Sequence, residues 1–96
     1  MNIPKEGIEI TNRFFLALET LRNEKKIRGM QTFTRAHNIN RWNLVTVRDN
    51  PERSALKPEY IYYLCNDYHI SPEWIILGTG EFYMRNDTIQ DIMGAG

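Results

Sequence analysis

Two very short apolar clusters in the middle of the chain constrain its fold more than any other feature. Residues 30–37 predict a helix of about two turns. Residues 41–49 predict a second helix, which carries Leu44 and Val47 three positions apart on one face. Because residues 38–40 interrupt the pattern, the spacing predicts two short helices joined by a three-residue turn.

The residues in and after this turn suit a tight bend and a sharp helix end. Asn38 tolerates a left-handed backbone at less cost than most residues, and Asn40 is a good N-cap for the second helix. Asn50-Pro51 ends that helix, because the residue before proline avoids the helical conformation. Thr34 is expected where the two helices cross. The positions expected to be buried are Phe33, His37, Ile39, Leu44 and Val47.

A longer helix is predicted before this pair. Residues 9–22 place five apolar side chains on one stripe, and Phe15 and Leu16 widen it, which predicts a helix buried from more than one side. A polar stretch, 23–28, then leads to a natural stop at Gly29. The five stripe residues are Ile10, Phe14, Ala17, Leu18 and Leu21.

Two more helices follow a loop at residues 50–57. Pro58 suits the first position of a fourth helix, whose expected inward residues are Ile61, Leu64, Cys65 and Tyr68. Ser71-Pro72-Glu73 is a start signal for a fifth helix, which carries Trp74, Ile75 and Leu77 and stops at Gly78.

The sequence thus predicts an all-α chain, a compact five-helix bundle. Residues 1–85 form the domain, in which Glu81, Phe82 and Tyr83 dock back on the core. Residues 86–96 are expected to form a flexible tail or linker.

Two short helices joined by such a turn form the helix-turn-helix pattern, in which the second helix enters the major groove of DNA. The stretch FTRAHNINRWNLVTVRDNP resembles the phage-repressor/Cro-like (XRE) helix-turn-helix family. The stretch YIYYLCNDYHISPEWIILGTGEF is similar to that family's fourth and fifth helices, so the resemblance covers roughly residues 8–83. It implies a lambda-repressor-like DNA-binding fold. The chain would be either a stand-alone regulator or the DNA-binding part of a longer repressor.

The function implied is sequence-specific binding of double-stranded DNA by a transcriptional regulator, most simply a repressor. A single short helix supplies few contacts, so a homodimer on a pseudo-palindromic operator is expected. The family's phosphate-contacting Gln has no match at Met30, and Gln31 is the nearest candidate for that role.

The candidate base-contacting residues follow from the inward direction of Leu44 and Val47. The opposite face of the second helix then holds Trp42, Val45, Thr46 and Asp49, flanked by Arg41 and Asn43. Arg41 suits guanine, Asn43 suits adenine, and Val45 and Thr46 suit a thymine methyl group. Trp42 has three interpretations: a DNA contact, packing within the domain, or a protein contact.

Phosphate contacts need donors at the edges of the groove, and the chain has a cluster of them around the two helices. The candidates are Lys25, Lys26, Arg28, Gln31, Arg35, Asn40, Arg48 and Arg53.

The charge is distributed unevenly, although the net charge is zero. Residues 1–49 have a balance of +4 and residues 50–96 a balance of −4; residues 22–48 alone hold seven basic residues against Glu24. A bulk polycation is therefore excluded. A dipolar domain whose basic face meets phosphate is favoured.

Other function classes find less support. A protein-interaction module using a Trp42/Val45 surface is the alternative to DNA binding. No enzyme motif, cofactor, metal site or small-molecule substrate is predicted, and Cys65, being alone, allows neither an intrachain disulfide nor a zinc ribbon. His37 is interpreted as a partly buried side chain with one hydrogen bond, or else as a ligand or pH sensor. No membrane association is expected, and the cytoplasm is the default location.

Overall fold

A computed structural model of the protein describes residues 2–85, so the tail expected at residues 86–96 lies outside the described residues. The described residues confirm the all-α class and the compact five-helix bundle. Their only extended pairing is an isolated antiparallel bridge between Ile70 and Tyr83. The helices are α1 (Lys5–Asn23), α2 (Met30–Ala36), α3 (Arg41–Asp49), α4 (Pro58–Tyr68) and α5 (Pro72–Leu77).

The longest helix, α1, packs against both α3 and α5. Its predicted stripe is confirmed in the core, where Phe14, Ala17 and Leu21 are fully buried. The helix begins at Lys5, four residues before the predicted start. Pro4 occupies the N-cap position, and an acid, Glu6, lies in the first turn near the positive end of the helix.

The expectation that Phe15 and Leu16 bury α1 from a second side is wrong for Leu16. Its side chain is 51% exposed, whereas Phe15 is partly buried and packs edge-on against Phe14. The short helices that follow cover one side of α1 and leave the turn that carries Leu16 open.

The end of α1 lies one residue beyond the predicted end at residue 22, but the left-handed turn that follows comes before Gly29, the predicted stop. α1 ends at Asn23, and Lys25, not a glycine, adopts the left-handed conformation with a φ of 64°. The backbone N–H of Lys26 then donates to the carbonyl of Leu21 at 2.9 Å. Gly29 is not the stop of α1 but the residue directly before α2.

The turn between α2 and α3 follows the sequence closely. Asn38 has a φ of 53°, and the N–H of Ile39 donates to the carbonyl of Thr34 at 2.8 Å. Thr34 itself is buried, and its hydroxyl donates to the carbonyl of Gln31. The bounds predicted for α3 are confirmed. Phe33, Leu44 and Val47 are buried, whereas His37 and Ile39 are partly buried.

α5 is held in place by contacts with α1 and with the segment that follows it. The guanidinium of Arg13 on α1 donates to the carbonyls of Ile75 and Ile76, at 2.6 and 2.9 Å, where α5 ends. Gly78 follows with a φ of 72°, a left-handed cap that favours glycine. The predicted docking of the segment after α5 is confirmed for Phe82 and Tyr83, which pack against the core, whereas Glu81 is exposed. Phe82 lies edge-on against Trp74 with ring centroids 4.7 Å apart.

Candidate functional site

The outward face of α3 carries the residues predicted to touch bases. Trp42 is 77% exposed, which excludes the interpretation that it packs within the domain. Asn43 and Thr46 are also exposed, while Val45 is partly buried. The hydroxyl of Thr46 donates to the carbonyl of Trp42 at 2.9 Å, so the methyl group of Thr46 is the part left for an external contact.

Asn40 is the N-cap of α3. Its side-chain oxygen accepts hydrogen bonds from the N–H groups of Trp42 and Asn43, at 2.9 and 3.3 Å. These are two of the N–H groups that a helix start otherwise leaves without partners. Asn40 therefore has a structural role, and only its amide NH₂ group remains to donate to a phosphate.

Arg41 and Arg48 lie on the flank of α3 that faces α1, two turns apart. Together with the exposed side of α1 and the start of α2 they line an open groove of about 690 Å³. We call this the arginine groove. Its charged and polar walls include Arg22, Arg28, Gln31, Arg41 and Arg48, and its floor includes Phe15, Leu16, Leu18 and Met30.

The arginine groove is strongly positive. Glu19 is the only acidic residue in its lining, and it lies 3.9 Å from Arg22 in an exposed pair that contributes little. Arg48 donates to Asp49 at 3.1 Å. For Arg28 and Arg41, no carboxylate of residues 2–85 lies within salt-bridge distance. At least two guanidinium groups are thus available to an anion.

The structure brings together three of the predicted phosphate contacts, Arg28, Gln31 and Arg48, in this groove. Arg35, on α2, and Arg53, in the loop after α3, are exposed but outside its lining. Lys25 is exposed in the loop before α2.

Lys26 is engaged within the protein. Its ammonium group donates to the hydroxyl of Tyr83 at 2.8 Å and lies 3.4 Å from a carboxylate oxygen of Glu24. The hydrogen bond to Tyr83 raises the pKa of Lys26, and the one that Tyr83 donates to Glu24 lowers the pKa of that carboxyl. This cluster connects the loop after α1 to the segment after α5.

His37 is a structural link between α2 and α4. Its ring stacks on Tyr63 with centroids 3.9 Å apart, and its Nε2 atom is hydrogen-bonded to Asp67. These contacts agree with the interpretation of a partly buried histidine with one hydrogen bond. Cys65 is buried, and burial raises the pKa of its thiol to about 11. At neutral pH the buried thiol of Cys65 is therefore a poor nucleophile.

Sequence reasoning did not identify the α1 side of the arginine groove, including Leu16 and Arg22, as a functional candidate. The signal that points to them is spacing: Asn12, Leu16 and Glu19 lie on one line along α1, beside the buried stripe, and Arg22 continues it. No helix within residues 2–85 has the length and apolarity that a membrane span requires.

No protein-family model, curated protein or solved structure matches this chain. The resemblance to phage repressors stays a prediction, and function is inferred from the surface of the molecule.

Proposed function

We propose that this chain binds double-stranded DNA in a sequence-specific manner, as a transcriptional regulator of the phage-repressor/Cro-like type and most simply a repressor. The observation that carries the proposal is the position of the arginine groove directly beside the outward face of α3. Groups suited to bases, on Trp42, Val45 and Thr46, thus adjoin groups suited to phosphates, on Arg28 and Arg48.

The geometry of α3 supports this proposal. The helix has nine residues, is capped by Asn40 at its start, and buries only Leu44 and Val47 against the rest of the protein. A short exposed helix of this kind fits the major groove, with its first residues, Arg41 and Trp42, nearest to the bases. Arg41 would contact bases from the same flank on which Arg48 would contact phosphate.

The electrostatics support it as well. The basic residues concentrate in residues 22–48, whereas the acidic residues concentrate after residue 50. A domain with this dipolar charge is steered so that its basic side faces the polyanion and its acidic half faces away. On this proposal the regulator acts as a homodimer on a pseudo-palindromic operator, in the cytoplasm.

The salt dependence of DNA binding tests the proposal. Affinity for a pool of short labelled duplexes is expected to fall steeply with salt, because each neutralised phosphate releases counterions. Arg28→Gln and Arg48→Gln should each lower the slope of log affinity against log salt by about 1. The matched control is Arg85→Gln, an exposed arginine next to Glu81 in the acidic half.

Absence of duplex binding, or binding that does not change with salt, contradicts the proposal. Equal slopes for wild type, Arg28→Gln and Arg48→Gln contradict the assignment of these two residues to phosphates.

The exposure of Trp42 also favours a second candidate, a protein-interaction module that uses the Trp42/Val45 surface. The two candidate functions differ in whether the arginines of the groove contact phosphates, as they would only in the DNA-binding regulator. If Trp42→Ala abolishes binding of a protein partner while duplexes never bind, the interaction module is correct and the regulator is not.

A further inference from the structure

The arginine groove has an apolar floor that DNA binding does not require. Leu16 is 51% exposed there, and Phe15 and Met30 are partly buried beside it. Phosphates at the edge of a duplex are met by donors, not by aliphatic side chains. The floor therefore needs a different explanation from the arginines that surround it.

The combination of floor and walls has the chemistry of a peptide-binding groove. Four guanidinium groups, on Arg22, Arg28, Arg41 and Arg48, surround the apolar floor, and Glu19 is the single acid of the lining. Arginine pairs with carboxylates through two parallel hydrogen bonds, so acidic side chains suit the rim. Apolar side chains of the same segment suit Leu16, because the burial of both surfaces is favourable.

The size of the groove agrees with this occupant. It is an open channel of about 690 Å³, bounded by three helices. That volume accommodates the side chains along one face of a short helix. A buffer anion or a single phosphate would fill a small part of it and leave the apolar floor exposed.

We propose that the arginine groove binds an acidic amphipathic segment of a partner protein, with carboxylates on the arginines and apolar side chains on Leu16. This function goes beyond the binding of DNA and does not require that the chain binds DNA. Since Arg28, Arg41 and Arg48 belong to both sites, the peptide segment and DNA compete for the same face of the molecule.

The test uses the full chain and a fluorescein-labelled synthetic peptide with glutamates on one side and leucines at i, i+3, i+4 spacing. Two control peptides replace the glutamates by glutamines or the leucines by serines. Wild type is expected to bind the first peptide and to bind either control at least about tenfold more weakly, because both kinds of contact are needed.

The protein variants are Leu16→Ser and a matched control, Leu77→Ser, which changes an exposed leucine outside the groove. Leu16→Ser should weaken peptide binding about tenfold and leave DNA binding within about twofold of wild type. Leu77→Ser should leave both unchanged. Circular dichroism and thermal unfolding of each variant check that the fold is retained.

The proposal is overturned if the glutamate-leucine peptide does not bind. It is also overturned if the control peptide with serines binds as tightly as the glutamate-leucine peptide, or if Leu16→Ser binds the glutamate-leucine peptide as tightly as wild type does. Equal binding of the serine peptide means that the groove attracts any polyanion by charge alone. If the peptide binds as expected and no duplex binds, the groove assignment stands and the DNA proposal fails.

Discussion

Two short helices of this protein, α3 and α5, are alike in local structure and opposite in charge. Each begins at a side-chain cap, Asn40 for α3 and Ser71 for α5. Each also exposes a large apolar side chain, since Trp42 is 77% and Leu77 is 69% exposed. Caps and exposed apolar residues therefore do not distinguish α3, which we propose to bind DNA, from α5, which is docked on its own domain.

The difference between the two helices lies in their surroundings. α3 is flanked by Arg41 and Arg48, which face the arginine groove. α5 carries Glu73 in its first turn, and its last carbonyls are occupied by Arg13. The charge beside a helix, and whether its end is already bound within the protein, are thus the features that separate the two.

The largest effect expected concerns stability and separates buried from exposed leucines. Leu44→Ala, within α3, should lower the free energy of unfolding by about 2–5 kcal/mol, because it leaves a cavity at a fully buried position. Leu77→Ala, at the exposed end of α5, should change it by less than about 0.5 kcal/mol. Urea unfolding followed by circular dichroism measures both, and equal losses would contradict the described packing.

The next effect concerns DNA and tests the charge difference directly. Arg41→Ala should weaken binding to the preferred duplex by about 1–3 kcal/mol and relax base preference at one position. Arg85→Ala, in the acidic half, should change neither. Competition between duplexes that differ at single positions measures the preference. Equal affinity of Arg41→Ala and wild type for every duplex would remove Arg41 from the base-contacting residues.

The two caps allow a matched comparison. Asn40→Ala and Ser71→Ala should each lower the free energy of unfolding by about 1 kcal/mol, since each removes a side-chain acceptor from a helix start. Only Asn40→Ala should also weaken DNA binding. Asn40→Asp should keep the cap and still weaken DNA binding, because its charge faces phosphate. If Ser71→Ala weakens DNA binding as much as Asn40→Ala does, the assignment of DNA contacts to α3 is wrong.

The smallest effect concerns the contact between the basic and acidic halves. Tyr83→Phe removes the hydroxyl that lowers the pKa of Glu24 and raises that of Lys26. A carboxyl whose pKa is lowered in the folded protein stabilises the fold at pH values above its ordinary pKa of 4.5. This contribution is lost as the pH falls through the pKa of the folded state. Wild type should therefore exceed Tyr83→Phe in stability near neutral pH.

This stability difference should narrow at both ends of the pH range. It shrinks in acid as Glu24 is protonated. It also shrinks as pH rises past 10.5 through the raised pKa of Lys26, when the ammonium loses its charge. Thermal unfolding at a series of pH values measures the difference, and a constant one would mean that the cluster contributes nothing through these charges.

Local signals in the sequence account for most of the fold. The bounds of α3, the cap at Asn40 and the left-handed turn at Asn38 depend on single residues with strong conformational preferences, and all three are confirmed. The start of α1 at Lys5 and the left-handed backbone conformation of Lys25 were not predicted. The turn at Lys25 uses no glycine, so its position depends on how the next element packs, whereas Pro4 directly before α1 was a local signal that the prediction did not use.

The candidate site was predicted only in part, for a physical reason. The inward direction of Leu44 and Val47 fixed which residues of α3 point outward, because helical geometry relates them. It did not reveal that Arg41 and Arg48 lie across a groove from Leu16 and Arg22. That neighbourhood depends on how α1 packs against α3, which no local pattern encodes.

The central claim is that α3 and its basic surroundings recognise a DNA sequence, and selection from random duplexes tests it most directly. The account predicts enrichment of a pseudo-palindrome whose half-sites are spaced about one helical turn, roughly 10 base pairs, or a multiple of it, centre to centre. It also predicts that Arg41→Ala loses the preference at one position of each half-site. Recovery of no enriched sequence with the wild-type protein would contradict the claim.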